Sequence, residues 1–407
     1  VNFKAKGWLV CLIAACFFSY ELVQLHMLNA IAPMLMKELS LSATDFSALC
    51  STYLLADVIF LLPAGMILDR VPVRKMILIA LALCVIGTFG FAVSGSFLQA
   101  AISHFLSGIG NAFCFLSCMM LASSWFGNKS SLVMSVMITI GLLGGVLAQV
   151  PFALLAEYVG WQKTLFFDGI AGCVIWVLNY FFVRENPVAV QKTKTLSVQG
   201  FLKTLRPAFA NIQVWKCGFY TGFLNLPLML ISAMMGNLYL THAMHLDLLE
   251  ASFVTSMISL GTIVGSPIYG FLSDYFNQKK RWMIVGSILT LGVFSLIVMQ
   301  KDPSVFSMVI LFFLLGFFSA SQVIGYPMIA ESSAKDLKGT SMGIAAVIIM
   351  GLAFIGQPLA GYLIDLASVG TSYDFRYAMM IFPVGFLLSL WMAASLKEEK
   401  VALEVKV

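Results

Sequence analysis

The sequence predicts an all-α membrane protein of twelve transmembrane helices in two pseudosymmetric six-helix bundles. Three observations lead there. Of the 407 residues, 60% are apolar and 11% charged, against about 25% charged in soluble domains. The apolar residues gather in twelve runs, each long enough to cross a ~30 Å hydrocarbon core as about 20 residues of helix. One short pattern occurs twice, 205 residues apart: Gly65-x-x-x-Asp69-Arg70-x-x-x-Arg74-Lys75 and Gly270-x-x-x-Asp274-x-x-x-x-Lys279-Lys280. Each copy closes one apolar run and precedes the next, so the same turn is built twice, as in many transporters.

The runs of the first half lie at 8–35, 45–68, 76–95, 97–125, 130–155 and 162–183. Those of the second lie at 214–241, 250–272, 282–300, 304–330, 339–365 and 376–396. They are continuous rather than alternating, so a strand barrel is excluded and each backbone pairs within its own helix. The first run follows Lys4 and Lys6, lacks a small-residue cleavage site and exceeds the length of a signal peptide, so it reads as a span. The domains are therefore a first bundle (1–183), a linker (184–213), a second bundle (214–396) and a tail (397–407). The linker carries Arg184, Lys192, Lys194, Lys203 and Arg206 against Glu185. In it Phe201, Leu205 and Phe209 recur every four residues after Ser197, as in a short amphipathic helix on the membrane surface. Gly200 and Pro207 suit a plain solvated linker equally well.

Basic loops stay cytoplasmic. With the N-terminus inside, only Lys37, Lys163, Lys301 and Arg376 of the 24 Lys and Arg fall outside. The expected location is the cytoplasmic membrane, multi-pass, with both termini cytoplasmic. The formal charge of +5 is explained by topology and contact with anionic lipid, without a nucleic-acid partner. All eight cysteines sit within or at the ends of apolar runs with no C-x-x-C pair, and they read as small core residues. Outer connections such as Gly95-Ser96 and Asp302-Pro303 are short, so function must sit among the helices.

Six plus six spans, a basic central linker and the duplicated loop together resemble the major facilitator superfamily, over the whole chain. The first loop is similar to that family's G-x-x-x-D-[RK]-x-G-x-[RK]-[RK] signature, with Pro72 at the second glycine; the second copy departs at Tyr275 and Asn277. The resemblance implies alternating access between two rocking halves, usually in a monomer. It also implies a gating role for Gly65, Asp69, Arg70, Arg74 and Lys75 and for Gly270, Asp274, Lys279 and Lys280. Asp69 would meet the start of the eleventh span near Lys338-Gly339-Thr340-Ser341, and Asp274 the start of the fifth near Lys129-Ser130-Ser131, each carboxylate against a positive helix N-terminus. The basic residues alone also serve as topological anchors. Gly160-Trp161-Gln162 is similar to a G-W-R turn common in the superfamily. Within it, the texture of Gln24 to Pro33 and Pro63 to Arg74 is similar to phagosomal nutrient transporters of intracellular bacteria, many of which import amino acids.

A carboxylate at mid-membrane costs about 2.5 to 3.5 kcal/mol on insertion scales, so one that persists has a use. Glu21 and Asp57 lie near the middles of the first and second spans and are the candidates for proton coupling; as neutral struts between helices they would serve packing alone. The resemblance makes spans 1, 4, 7 and 10 line the cavity. They offer Tyr20, Glu21 and Gln24, then His104 and Asn111, then Tyr220, Asn225 and Tyr239, then Gln322 and Tyr326 as substrate-binding candidates. About half of such groups are ordinary interhelical hydrogen bonds. Asp168, near the outer end of the sixth span, is a further candidate.

No Lys or Arg lies deep in any span, so a strongly anionic substrate would lack its cationic clamp. The expected substrate is a small zwitterionic, neutral or cationic solute such as an amino acid, taken up with protons. Export of a drug or siderophore, or a non-transporting receptor on the same fold, are the alternatives; the run from Gly141 to Pro151 lacks the Gly-Pro pair that marks many drug antiporters. His242-x-x-His245 with Asp247 and Glu250 reads as solvated surface rather than a metal site. No cofactor is expected, since no G-x-x-x-x-G-K-[ST] loop occurs, and neither H-E-x-x-H nor G-x-S-x-G appears to support an enzyme. Asp69→Asn is expected to slow transport severalfold in proteoliposomes while size-exclusion profiles stay unchanged; equal rates would remove Asp69 from the gate.

Overall fold

The computed structural model describes residues 3–68, 71–127, 130–186, 205–300, 304–334, 337–368 and 373–397. Twelve helices in them are long and apolar enough to cross a membrane. These are α1 (Ala5–Glu38), α2 (Ala43–Leu68), α3 (Val73–Ala92), α4 (Phe97–Phe126), α5 (Leu132–Val159) and α6 (Trp161–Phe182) in the first half. The second half holds α7 (Ile212–His242), α8 (Leu248–Tyr275), α9 (Lys279–Met299), α10 (Val305–Ser332), α11 (Lys338–Ala367) and α12 (Arg376–Ser395). No strand occurs among the described residues. In the linker, residues 205–210 are helical, and Phe201 lies outside the described residues. Below, the linker end is the end of the bundle where α1 begins and α12 finishes; the opposite one is the far end.

The duplication extends to atomic contacts. Ser96 caps α4 by accepting from the Gln99 amide at 3.4 Å, and Ser304 caps α10 by accepting from the Ser307 amide at 3.1 Å. A β-carbon on Gly108 would stand 2.3 Å from the Tyr53 carbonyl oxygen, and one on Gly316 2.0 Å from that of Ile258. In both halves a glycine therefore lets one helix backbone lie directly on another, α4 on α2 and α10 on α8. Helix-on-helix approach at small residues is what packs apolar helices in lipid, where burial of oily side chains gains little.

The halves meet where α1 packs on α7, α2 on α11 and α5 on α8. Helix α7 is not uniform: Pro227–Met235 is wound as a π-helix between two α-helical stretches. Pro227 brings no amide hydrogen, and the wider winding changes which carbonyls find partners within the helix. Helix α5 is interrupted at Gln149, between segments ending at Leu147 and starting at Val150, with Pro151 just beyond. Both irregular stretches lie on the seam between halves, where neighbouring helices can satisfy the freed groups. At the far end Asp247 and Glu250 form a capping box that starts α8, which gives these acids a structural use.

Gly316→Ala forces a methyl group into the Ile258 backbone, an overpacking worth about 1–3 kcal/mol. Gly351→Ala, whose β-carbon would meet nothing within 4 Å, serves as the control. The first is expected to lower the unfolding midpoint in detergent by several degrees and the second to leave it in place.

Candidate functional site

Two polar systems occupy the first half. In the first, the Glu21 side chain is fully buried; its Oε2 accepts from the Tyr53 hydroxyl at 2.8 Å, which also lies 3.1 Å from the Glu21 carbonyl. Its Oε1 has no hydrogen-bond partner and sits 2.7 Å from where a β-carbon on Gly110 would stand. The carboxyl group of α1 thus fills a notch in α4 and is held from α2. Asp57 is buried beside Asn111, with Oδ1 unpartnered. His104 is buried with its ring centroid 5.1 Å from that of Tyr53 and 5.7 Å from that of Phe91. In the second system Tyr20 lies 3.1 Å from Thr88, the Thr88 hydroxyl donates to Gln24 Oε1 at 3.0 Å, and Gln24 Nε2 donates to Asp168 at 2.5 Å. It ties α1 to α3 and α6. Tyr20, Glu21 and Gln24 therefore point into the first half, away from the seam.

The candidates of the second half divide in two. The Tyr220 hydroxyl reaches the carbonyls of Met283 and Ser321 at 3.3 and 3.2 Å, which makes it a tether of α7 to α9 and α10. Tyr239 packs edge-on against Phe375 at 5.6 Å. By contrast the side chains of Asn225, Gln322 and Tyr326 make no hydrogen bond among the described residues, and Tyr326 keeps 39% of its surface open. Gln322 and Tyr326 stand four residues apart at the end of a 3₁₀ stretch, Ala320–Ile324, that interrupts α10. Asn225 and Gln322 are buried, and Asn111 of α4, beside Asp57, is part-exposed; with Tyr326 they are three neutral amides and a phenol.

The seam is polar toward the far end, through residues that the stripe of Tyr20, Glu21 and Gln24 did not predict. Asn29 of α1 accepts from the Asn237 amide of α7 at 3.0 Å and donates to Gln149 Oε1 at 3.1 Å. Gln149 Nε2 donates to the Ser232 carbonyl at 2.8 Å, inside the π stretch, and Gln357 Nε2 of α11 donates to the Met229 carbonyl at 2.9 Å. Gln149 and Gln357 stand at the 208-residue spacing that also separates Ser96 from Ser304; that recurrence is the signal in the sequence that marks them. Past this belt, Asp365 of α11 accepts from the Ala43 and Thr44 amides at 3.1 and 2.7 Å. A carboxylate from one half thereby caps the positive end of α2 in the other. Beside it a β-carbon on Gly361 would meet Ser47 Oγ at 1.9 Å.

The linker end differs. A β-carbon on Gly65, Gly270 or Gly339 would meet nothing within 4 Å. Arg74 donates to the Tyr180 carbonyl at 2.6 Å, stacks 5.4 Å over the Tyr180 ring and donates its amide to Glu185 at 3.0 Å. Lys279 pairs with Glu331, and Lys280 donates to the Leu396 carbonyl at 3.0 Å. These duplicated cations brace their own halves. Lys75 and Asp274 are exposed, and the Asp274 side chain makes no hydrogen bond among the described residues. Asp69, Arg70 and Lys129 lie outside the described residues, as does the Ser131 side chain. The Trp161 and Gln162 side chains of the Gly160-Trp161-Gln162 turn both donate to Glu38, the first at 2.6 Å, closing the far end of the first half. At the far end, then, hydrogen bonds cross between the halves, whereas Arg74, Lys279 and Lys280 at the linker end bond within their own halves.

Asp365→Ala removes two helix-cap bonds, worth about 0.5–2 kcal/mol, and one link between halves. With Cys173, the exposed cysteine, replaced by serine, spin labels at Lys37 and Leu366 are expected to report a longer and broader distance distribution in Asp365→Ala. An unchanged distribution would show that the clasp holds without it.

The family model described as Major Facilitator Superfamily matches residues 9–236 and 224–406. The membrane sensor protein UhpC of Escherichia coli strain K12 is 24% identical over 361 residues, covering 82% of this chain and 80% of that protein. A second protein of that strain, named "Probable galactarate/D-glucarate transporter GarP", is 22% identical over 441 residues, covering 95% and 97%. Neither name mentions amino acids. Among solved structures, that of the nucleoside transporter NupG superposes with a TM-score of 0.78 at 14% identity, covering 97% of this chain and 100% of that one. With the family model matched along nearly its whole length and the same twelve-helix architecture, the chain belongs to the Major Facilitator Superfamily and is a membrane transporter rather than an enzyme.

Proposed function

We propose that the protein is a proton-driven importer that moves a small polar solute without net negative charge across the cytoplasmic membrane by alternating access, acting as a monomer with the linker end inside. The observation that carries the reading is the chemistry available to a solute. Asn111, Asn225, Gln322 and Tyr326 are neutral donors and acceptors with few partners of their own, and among the described residues no Lys or Arg lies deep in a span. GarP is named for two sugar dicarboxylates; here such a solute would leave its hydration shell without a guanidinium or ammonium to replace it. Solutes rich in hydroxyl or amine groups, amino acids included, fit the set.

Glu21 is the proposed proton carrier, with Asp57 as its neighbour in the same half. It is buried without a cationic partner and bonded to Tyr53, so gain or loss of a proton changes the charge between α1, α2 and α4. That links protonation to how those helices pack. One charge moved through 100 mV supplies about 2.3 kcal/mol, enough for roughly a 50-fold concentration ratio. The name of UhpC supports a second reading, a sensor on a transporter fold.

The test is uptake into proteoliposomes of labelled alanine, lysine, adenosine and glucose, with glucarate as the anionic control, with and without an inward proton gradient. Gradient-driven accumulation of a non-anionic solute, lost in Glu21→Gln, is the expected result. Preferential glucarate uptake would overturn the substrate class, retention in Glu21→Gln would overturn the carrier, and binding without flux would establish the sensor.

A further inference from the structure

His26 was not among the candidates read from the sequence. It lies on α1, between the Asn29 belt and the Gln24 network, and is 1% exposed. Its ring stands on the seam: a β-carbon on Gly145 of α5 would fall 3.4 Å from His26 Cε1 and Nδ1 and 3.3 Å from Ser259 Oγ of α8. The absence of a side chain at Gly145 is what lets the imidazole of one half sit beside a helix of the other. His26 Nδ1 is 2.8 Å from the Leu22 carbonyl. A carbonyl only accepts, so this bond assigns the hydrogen to Nδ1 and leaves Nε2 with a free lone pair. Nε2 has no partner.

Gln357 repeats the pattern in the second half. Its Nε2 is fixed on the Met229 carbonyl while its buried Oε1 is unpartnered. Leaving a buried acceptor unpaired costs about 1–3 kcal/mol. In both residues one N–H orients the side chain, the only one on His26 and one of the two on Gln357, and a buried acceptor is left over on each.

We propose that His26 Nε2 and Gln357 Oε1 are substrate-binding acceptors, one from each half, that take O–H or N–H donors of a polyol or amine-bearing solute. This deepens the transport reading and rests on it. When the far end opens, the parting of α1 and α5 from α8 bares Nε2 to the entering solute. A solute that brings only carboxylate or phosphate oxygens to these two atoms would present lone pairs to lone pairs, so the two acceptors select for solutes with an O–H or N–H to offer.

The experiment measures KM and maximal rate for the alanine, lysine, adenosine and glucose panel in proteoliposomes, together with the unfolding midpoint, for wild type, His26→Phe, His26→Gln and Gln357→Leu. The backbone amide of residue 26 still bonds the Leu22 carbonyl in each His26 variant, so the helix is kept. Expected are an at least tenfold rise in KM in His26→Phe with an unchanged or raised midpoint, a smaller rise in His26→Gln, which retains an acceptor, and a rise in Gln357→Leu. A KM within twofold of wild type in both His26 variants, or a lowered midpoint with unchanged KM, overturns the proposal while leaving transport intact. Absence of wild-type uptake of every solute overturns the transport reading and this inference with it.

Discussion

The bond from Gln149 Nε2 to the Ser232 carbonyl answers a constraint that lipid imposes on every helix: a carbonyl released from its own ladder finds no water to pair with. The π winding of α7 releases such carbonyls at the seam, and two glutamines meet two of them. Gln357 comes from the same half as α7 and remains with it under any rigid-body movement. Gln149 comes from the other half and loses its partner when the halves part. Opening the far end therefore requires a replacement donor for Ser232 and a replacement acceptor for Gln149. Water entering from the far side supplies both, so parting and wetting of the seam are one event.

Much of this architecture was legible in the sequence because lipid makes the rules few. Continuous apolar runs fixed the helices, and the repeated glycine-acid-base loop revealed the two halves, down to Arg74 and Lys279 bracing equivalent corners. The facing of helix α1 was harder to read. Tyr20, Glu21 and Gln24 share a stripe, and a stripe of polar groups looks like a cavity wall. It instead meets Thr88, Asp168 and Tyr53 inside its own half, because a helix surrounded on all sides has no polar face that announces its exit. His26 and Asn29, on neighbouring faces, are the ones that reach the seam. No periodicity separates the two sets; only the position of α5 and α8 does. The recurrence of Gln149 as Gln357 was present in the chain, but at the 208-residue offset of its own helix pair rather than at the 205 of the loop.

The two ends of the bundle are held by different kinds of contact. At the linker end, the cations bond to carbonyls and acids of their own half, which makes each half stiff. At the far end, Asp365 and the Asn29 belt bond across the seam, which joins the halves. Stiff halves with a breakable joint are what rigid-body rocking needs, since strain placed on the seam is not dissipated within the bundles.

The near-identical seating of Gly108 on Tyr53 and Gly316 on Ile258 shows how closely the copies agree in backbone, and it throws their divergence in side-chain chemistry into relief. Glu21, Asp57 and Asp168 all lie within the first half, while at the position related to Asp57 the second half carries Thr262, bonded to the Ile258 carbonyl. The copies thus share a backbone design while the buried carboxylates within the spans are gathered in the first of them. A substitution that alters a carboxylate of the first half therefore leaves the packing of the second half's helices on one another untouched, so the chemistry of the two copies is free to diverge while the shared backbone seating persists.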